Sequence, residues 1–342
     1  MADVIFGARY DLLSNPRFRY VIDCIEASNV RMAALIQAPW YAALKLDKYL
    51  FPGAIKGRNR FIKFVSRVVK ERIDKSNDVD SKMEKEADGE EHDVFDNLTA
   101  AKDPETGSGF KLQEIAAEST TLIVAGSDTT STAMGGVAFY LANNPEAYAA
   151  AAAEVRALFK SAEEVTMGQE LASCSYLKAC IDEAMRMSPP VGSSLWREVV
   201  APSGSLTIDG HVIPSGVDVG VSIYALHHKA NYYPDPYTYA PERWLSNDDA
   251  SVDAARSAFN PFSIGMRSCL GKGLAQTELL LTFGAILAAG DFRVAPGSLG
   301  EVGRGSVGSS PGRQRSNEYQ LWDHITGQKQ GPWLQFSKRS VS

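Results

Sequence analysis

The sequence predicts a mainly α-helical protein with small β-sheets, an α+β fold formed by a single domain over residues 1–342. Apolar residues recur at helical spacing over 111–143 and 168–187, and a loop followed by an apolar helix is predicted over 262–289. A β-hairpin is predicted over 206–213, where β-branched residues flank an Asp-Gly turn. The chain has 342 residues, 44% of them hydrophobic, which suffices for a large packed core.

The composition argues against several classes of protein. Acidic side chains outnumber basic ones, 41 to 35, and the formal charge of −6 disfavours a nucleic-acid partner, because neutralising phosphates requires clustered Lys and Arg. The four cysteines match neither a disulfide framework nor paired zinc hooks, so a reducing, intracellular compartment is expected. Residues 1–7 lack a secretory signal, and no apolar run approaches the ~20 residues that span a bilayer. Residues 74–109 include a heavily charged run and are predicted to form a flexible loop.

The predicted helix over 111–143 carries small and hydroxyl residues at its middle, in Ala125-Gly-Ser-Asp-Thr-Thr-Ser-Thr132. These residue types disfavour an ordinary helix, so a role other than helix stability is expected for them. Gly126 would leave room for a ligand or water against the helix. Asp128 and Thr129 would form an acid–alcohol pair able to relay protons. A helix kinked for packing alone is the alternative interpretation.

Cys269 stands directly before the last apolar helix, in Phe262-Ser-Ile-Gly-Met-Arg-Ser-Cys-Leu-Gly271. A thiol at the N-terminus of a helix is favoured as the thiolate by the helix dipole. Gly265 and Gly271 let the backbone approach a flat partner closely, and Arg267 offers a fixed positive charge to a carboxylate. The loop is therefore suited to presenting one anionic sulfur to a metal beside an anion receptor. A buried structural cysteine is the alternative.

Two further motifs place charges on otherwise apolar elements. Glu183 and Arg186 are three residues apart on the predicted helix and so share a face. Such a pair on an exposed helix surface contributes little to stability, but here the neighbouring residues are apolar, which favours a buried pair with further partners. Pro241-Glu-Arg-Trp244 supplies Arg243. His227 and His228 lack ligands at metal spacing and are interpreted as loop residues.

These motifs together resemble those of the cytochrome P450 family. Phe-x-x-Gly-x-Arg-x-Cys-x-Gly at 262–271 matches the family's haem-binding signature at every fixed position. The central-helix stretch at 125–130, Glu-x-x-Arg at 183–186 and Pro-Glu-Arg-Trp at 241–244 occur in the family's order. The resemblance runs from about Ile5 to the carboxyl end and implies the cytochrome P450 fold.

The resemblance implies haem b (iron protoporphyrin IX) as the cofactor, with Cys269 as the axial ligand of the iron. It implies that Arg267 and Arg197 pair with haem propionates and that Phe262 packs beside the sulfur. The cluster of Glu183, Arg186 and Arg243 would be structural, and the pair of Asp128 and Thr129 would deliver protons. Residues expected to face a substrate are Leu122, Ala125, Val191, Leu195 and Ile325.

The implied activity is that of a haem-dependent monooxygenase, which inserts one oxygen atom from O₂ into a hydrophobic small molecule. Electrons would come from NADPH-cytochrome P450 reductase. The closing segments at 318–323 and 331–336 most resemble filamentous-fungal members of secondary metabolism. A non-catalytic haem-binding or vestigial fragment is the alternative function. An O₂-independent isomerase or dehydratase of the same fold is less favoured, because such enzymes often lack the acid–alcohol pair.

The amino terminus departs from the family pattern. Residues 1–7 resemble a segment that lies well inside a complete member, so the N-terminal third is expected to be missing from this chain. The missing part would include the membrane anchor and a Trp and an Arg that grip haem propionates. A complete member would associate with the endoplasmic reticulum membrane, although this chain carries no anchor.

Overall fold

The computed structural model describes residues 1–77, 93–200 and 204–339. They form two compact units, Met1–Asp128 and Thr129–Ser342, which are described in turn. The mainly helical fold with small sheets agrees with the prediction from the sequence. The single domain predicted over 1–342 stays a prediction.

The first unit is helical throughout its described residues, and its core forms between two long helices. Helix α2 presents Val21, Cys24 and Ile25, and helix α5 presents Phe61 and Phe64. Gly57 lets the helices approach closely, because a Cβ there would lie 3.5 Å from the Cα of Cys24. The α-helices are α1 (Ala2–Phe6), α2 (Tyr20–Gln37), α3 (Trp40–Ala43), α4 (Asp47–Leu50), α5 (Pro52–Asn77) and α6 (Val94–Ala100), with a 3₁₀ turn at Pro16–Phe18.

The flexible loop predicted over 74–109 is wrong at residues 74–77 and 94–100. Helix α5 continues to Asn77, and Val94–Ala100 is helix. The Asp93 carboxylate accepts from the Asp96 N–H at 2.8 Å and so caps α6. Phe95 is fully buried, which by itself contributes on the order of 2–3 kcal/mol. This burial offsets the entropy cost of ordering the segment, which had been expected to keep the charged sequence flexible. Residues 78–92 lie outside the described part of the chain.

Helix α7 (Leu112–Asn143) is the long central helix, one residue shorter than predicted, and it crosses from the first unit into the second. The Lys111 N–H donates to the Glu114 carboxylate at 2.7 Å, the reach-back contact of a capping box. Beyond Thr129 it buries Val137, Phe139 and Leu141 in the core of the second unit.

The other helices of the second unit pack on that core. The predicted helix over 168–187 is two helices, α9 and α10, because the backbone leaves the helical region at Cys174, with φ −68° and ψ 72°. The α-helices are α8 (Pro145–Leu158), α9 (Gln169–Ala172), α10 (Ser175–Met187), α11 (Ile223–His227), α12 (Asp249–Ala258) and α13 (Lys272–Ala289). The 3₁₀ turns are Ala162–Glu164, Pro241–Trp244, Gly265–Arg267 and Gly297–Glu301.

The strands pair antiparallel, two by two. The predicted hairpin is present as β2 (Ser205–Ile208) and β3 (His211–Pro214), joined by Asp209 and Gly210 at φ 48° and 78°. Both residues have positive φ, as a type I′ turn requires. The remaining pairs are β1 (Arg197–Glu198) with β4 (Asp218–Val219), β5 (Gly290–Val294) with β8 (Leu334–Lys338), and β6 (Leu321–His324) with β7 (Thr326–Lys329).

Arg156 ties α8 to the end of α13. Its guanidinium donates to the carbonyl oxygens of Leu287 at 2.9 Å and Gly290 at 2.8 Å. It also pairs with the Asp291 carboxylate at 2.7 Å. These bonds satisfy carbonyls that the last turn of a helix leaves without an intrahelical donor, so the carboxyl end of α13 is fixed. Within the described residues, no helix is long and apolar enough to cross a bilayer.

Candidate functional site

The Cys269 loop, defined as residues 260–271, connects α12 to α13. The Ser263 N–H donates to the Asn260 carbonyl at 3.0 Å, and the Cys269 N–H donates to the Phe262 carbonyl at 2.8 Å. Between these bonds the chain reverses through Ser263 and Gly265, at φ 57° and 74°. The left-handed conformation at Gly265 explains why glycine suits that position.

Cys269 is exposed, whereas the other three cysteines are buried. Every residue from 264 to 270 is exposed as well. This run includes large apolar side chains, with Ile264 72% and Leu270 93% exposed. The alternative of a buried structural cysteine is therefore wrong for Cys269. A thiol surrounded by exposed apolar side chains suits a large apolar group better than water.

The two guanidinium groups that were predicted to pair with haem propionates have no carboxylate partner among the residues that the structure describes. Arg267 is exposed two residues before the thiol, and its side chain has no hydrogen bond or ion pair within that part of the chain. Arg197 is exposed at the start of β1, and its Nη1 donates only to the backbone carbonyls of Leu195 and Trp196, at 3.3 and 2.9 Å. Both cations are thus available for anionic groups of a ligand.

The remaining loop residues fit the same purpose. Gly271 precedes α13, and a Cβ there would lie 3.9 Å from the Sγ of Cys269, so glycine keeps that side of the sulfur open. Phe262 is half-buried under the loop, with the Lys272 Nζ 5.9 Å from its ring centroid. An exposed thiol, an apolar surface and unpaired guanidinium groups fit an iron porphyrin, which has an apolar face, a metal that binds thiolate and two carboxylates.

The structure brings Arg243, which is half-buried, together with the fully buried Glu183 and Arg186. Arg186 donates to the Glu183 carboxylate from Nε and Nη2, both at 2.9 Å, and Arg243 donates from Nε at 3.0 Å. Glu183 and Arg186 are both 0% exposed. The buried pair that the apolar neighbours favoured is therefore confirmed, and its burial requires that every polar atom finds a partner.

Backbone groups supply those further partners. Arg186 Nη1 donates to the carbonyls of His227 and Pro236, each at 2.8 Å. The Ala240 N–H donates to the Glu183 carboxylate at 3.0 Å. Because these groups belong to the last residue of α11 and to the irregular segment after it, the cluster fixes both on α10. The geometry agrees with a structural role.

Three residues of this region were missed or misinterpreted from the sequence. Trp244 donates from its indole Nε1 to the Glu183 carboxylate at 3.1 Å, although only the arginine of its motif was singled out. The interpretation as loop residues is wrong for His227, which is the last residue of α11, whereas His228 lies in the turn that follows. Both are buried at the end of α11, and burial lowers the pKa of His227 to about 3 and that of His228 to about 4. No sequence spacing indicates the contacts of His227, because its partners are backbone groups distant along the chain.

Asp182, next to Glu183 on α10, faces a different environment. Burial raises the pKa of its carboxyl to about 6, although Lys178, Lys272 and Arg256 lower it by attraction. The ionised carboxylate is therefore costly at neutral pH in spite of its basic neighbours.

Asp128 and Thr129 occupy consecutive half-buried positions of α7. The Asn29 side-chain amide donates to the Asp128 carboxylate at 2.7 Å, a contact from α2 that the sequence did not predict. Gly126 does not leave an open space: a Cβ there would lie 2.6 Å from the Sδ of Met1, so the Met1 side chain packs on this glycine.

Part of the expected substrate-facing set is brought together. The Gly327 N–H donates to the Pro190 carbonyl at 2.6 Å, which joins the 191–195 segment to the turn between β6 and β7. Ile325 forms that turn at φ 77°. Thr132 of α7 donates to the Gly327 carbonyl at 2.9 Å. Leu122 is half-buried and Ala125 exposed on the first-unit part of α7, and Val191 and Leu195 are half-buried.

Known proteins similar to this chain agree with the resemblance. The family model "Cytochrome P450" matches residues 1–301. A cytochrome P450 monooxygenase of Gibberella zeae is 49% identical over 341 residues, covering 100% of this chain and 75% of the relative. The cytochrome P450 monooxygenase AKT7 of Alternaria alternata is 43% identical, covering 99% of this chain and 63% of the relative.

Solved structures show the same fold. The cytochrome P450DA heme domain matches with a TM-score of 0.72 at 18% identity, covering 99% of this chain and 64% of that structure. A second cytochrome P450 matches with a TM-score of 0.71 at 22% identity, covering 99% of this chain and 65% of that structure. This chain belongs to the cytochrome P450 family.

Proposed function

We propose that this chain is a haem-thiolate monooxygenase that inserts one oxygen atom from O₂ into a hydrophobic small molecule of fungal secondary metabolism. The observation that carries the proposal is the Cys269 loop, where an exposed thiol and the unpaired Arg267 lie on an exposed apolar surface. The name shared by the relatives from Gibberella zeae and Alternaria alternata supports the same reaction class.

The cofactor we propose is haem b. Cys269 would hold its iron through the thiolate, while Arg267 and Arg197 would pair with its propionates. When bound, haem supplies the activation of O₂ and the transfer of one oxygen atom to the substrate. The protein's part is to hold the sulfur, to orient the ring and to neutralise its carboxylates.

Asp128 and Thr129 are proposed to hold and pass the protons that O₂ reduction requires. The amide of Asn29 donates to the Asp128 carboxylate and fixes its orientation. Thr129, at the next position of α7, would carry the exchangeable hydroxyl proton. We propose NADPH-cytochrome P450 reductase as the source of electrons, because this is the partner of the fungal members that the chain resembles.

We propose in addition that the protein associates with the endoplasmic reticulum membrane. The support is the segment of α3 and α4, where Trp40, Leu44, Tyr49 and Leu50 are exposed. Aromatic and aliphatic side chains of this kind favour the membrane–water interface. Flotation with phosphatidylcholine vesicles tests this. Trp40→Ser with Leu50→Ser should reduce co-flotation at least threefold, and unchanged co-flotation would contradict the proposal.

The reduced, carbon monoxide-bound absorption spectrum of the haem-reconstituted protein tests the haem-thiolate proposal. We expect a thiolate-type Soret band, which Cys269→Ala abolishes. Cys180→Ala is the matched control, because that thiol is buried on α10 and its backbone carbonyl keeps the bond from the Tyr239 hydroxyl at 3.0 Å. A spectrum without the thiolate-type band in the unsubstituted protein would refute the proposal.

The proton-delivery role is tested separately. Thr129→Ala should leave the thiolate-type band intact while a larger share of reducing equivalents ends in peroxide. Thr121→Ala is the control, because this exposed threonine of the same helix bonds only to the Ala117 carbonyl, at 3.1 Å. Equal peroxide yields from the two variants would exclude Thr129 from proton delivery.

A further inference from the structure

His227 connects the Cys269 loop to helix α10. Its ring Nε2 lies 3.0 Å from the Asn260 backbone nitrogen, and its Nδ1 lies 3.2 Å from the Arg186 carbonyl oxygen. The Asn260 N–H can only donate, so Nε2 accepts and Nδ1 carries the proton that is donated to Arg186. The imidazole is therefore neutral and held in one tautomer.

The contact with Arg186 is reciprocal. The Arg186 guanidinium donates to the His227 carbonyl at 2.8 Å, while the His227 ring donates to the Arg186 carbonyl. Because Arg186 is in turn fixed by both oxygens of Glu183, His227 has little freedom to move. The fixed positive charge beside His227 is that of Arg186, and both it and the titratable ring of His228, next in the chain, lower the pKa of His227.

Asn260 is the first residue of the Cys269 loop. Its carbonyl accepts from the Ser263 N–H, and two residues further on Phe262 accepts from the Cys269 N–H. The His227 ring also stacks on Phe259, with centroids 5.4 Å apart at 28°, and Phe259 contacts Trp244 at 4.7 Å. The loop itself is exposed from residue 264 onward, so its position depends on how its amino end is held.

We propose that His227 is a positioning residue that fixes the amino end of the Cys269 loop on the buried Glu183–Arg186 pair and thereby holds the sulfur in place for the metal. The proposal rests on the proposed haem-thiolate function. The group that holds the loop is the Nε2 of His227, because without this acceptor the partly buried N–H of Asn260 loses its hydrogen bond to α11.

Two substitutions of His227 separate its two hydrogen bonds. In His227→Gln, the side-chain oxygen replaces Nε2 and can accept from Asn260. In His227→Asn, the shorter amide replaces Nδ1 and leaves Asn260 without an acceptor. His228→Asn is the matched control, because that buried ring donates to the Tyr224 carbonyl at 2.8 Å and stacks between Tyr224 and Tyr237, away from the loop.

The first readout is the rate at which the thiolate-type Soret band of the reduced, carbon monoxide-bound protein converts to the thiol-type band. We expect His227→Asn to raise this rate roughly tenfold, which corresponds to about 1.4 kcal/mol. His227→Gln and His228→Asn should change it less than threefold. Equal rates for His227→Asn and His228→Asn, or for His227→Asn and His227→Gln, would overturn the inference.

The second readout needs no haem: amide hydrogen exchange of peptides covering 260–271 in the full-length protein. Exchange should accelerate about tenfold in His227→Asn alone, at temperatures where all variants are folded by circular dichroism. If the unsubstituted protein shows no thiolate-type band, the proposed function fails, while this readout still decides the role of His227. Unchanged exchange in His227→Asn would refute the positioning role even if the band is present.

Discussion

Replacing Glu183 with glutamine removes one charge from the centre of the buried cluster while conserving the volume of the side chain. The carboxylate accepts from Arg186, Arg243, Trp244 and the Ala240 N–H. A glutamine amide offers one acceptor oxygen and places its NH₂ group against some of these donors. Arg186, which is fully buried, then lacks the opposite charge that offsets its desolvation.

The expected cost follows from this geometry. Removing one partner of a buried ion pair costs about 3–5 kcal/mol. Arg243 is partly solvent-accessible, so water compensates its loss, and the cost arises mainly from Arg186. For a chain of 342 residues, that free energy corresponds to a fall of roughly 4–7 °C in the midpoint of thermal unfolding.

Thermal unfolding at a fixed scan rate, followed by far-ultraviolet circular dichroism and tryptophan fluorescence, measures the effect. Glu170→Gln is the control, because that glutamate is exposed on α9 and the same substitution there should change stability by less than about 0.5 kcal/mol. A midpoint for Glu183→Gln within 2–3 °C of the control, on the order of 1 kcal/mol, would refute the reasoning that the pair is buried and interdependent.

Three further predictions concern acid, a buried carboxyl and the loop glycine. Above pH 6.5, His227 and His228 are neutral in both states. Below pH 6.5, only the unfolded chain takes up protons on these two histidines, because their folded pKa values are about 3 and about 4. The free energy of unfolding should therefore fall on acidification by up to about 1.4 kcal/mol per pH unit per histidine. Urea midpoints of the unsubstituted protein and His228→Asn that run parallel from pH 7 to pH 5 would contradict this. For Asp182 the pH dependence has the opposite sign: its folded pKa is raised to about 6 from 3.8, so its contribution to stability is present below pH 3.8 and lost as the pH rises through 6. In urea titrations, Asp182→Asn should therefore stabilise the protein by about 1–2 kcal/mol at pH 7.5 and by less at pH 5. An equal gain at both pH values would show that burial of the ionised carboxylate is not the cause. Gly265→Ala should lower the free energy of unfolding by about 1–2 kcal/mol because of its φ of 74°. Gly273→Ala, in open space on α13, should raise that free energy by up to about 1 kcal/mol, and changes of the same sign in urea titrations would count against the strain argument.

The fold and the Cys269 loop could be predicted from the sequence because the patterns that indicate them lie in short stretches of the chain. The hairpin at Asp209 and Gly210 and the loop around Gly265 require backbone conformations that few residues adopt, and helix α7 is long enough for its period to be read directly. The burial of Glu183 and Arg186 could be predicted because the helix around them is otherwise apolar.

The rest depended on contacts that are distant along the chain. His227 bonds to the backbone of Arg186 and of Asn260, 41 and 33 residues away. Because every residue has these backbone atoms, the side chains at the two positions do not indicate the contacts. The helix at Val94–Ala100 was missed because the charges before it dominate its window, while its stability comes from the burial of Phe95 and from Arg72, which bonds to Asp93 and Asp96. The contact between Asn29 and Asp128 spans 99 residues.

The clamp that Arg156 forms on the far end of α13 restricts how the sulfur site can respond to different ligands. The helix is 18 residues long, about 27 Å, and Cys269 stands just ahead of its first turn. Sliding the helix by even one turn would break the bonds from Arg156 to Leu287, Gly290 and Asp291 together. Adaptation to substrates of different size must therefore come from segments other than this helix, which acts as a fixed reference against which the other elements can adjust.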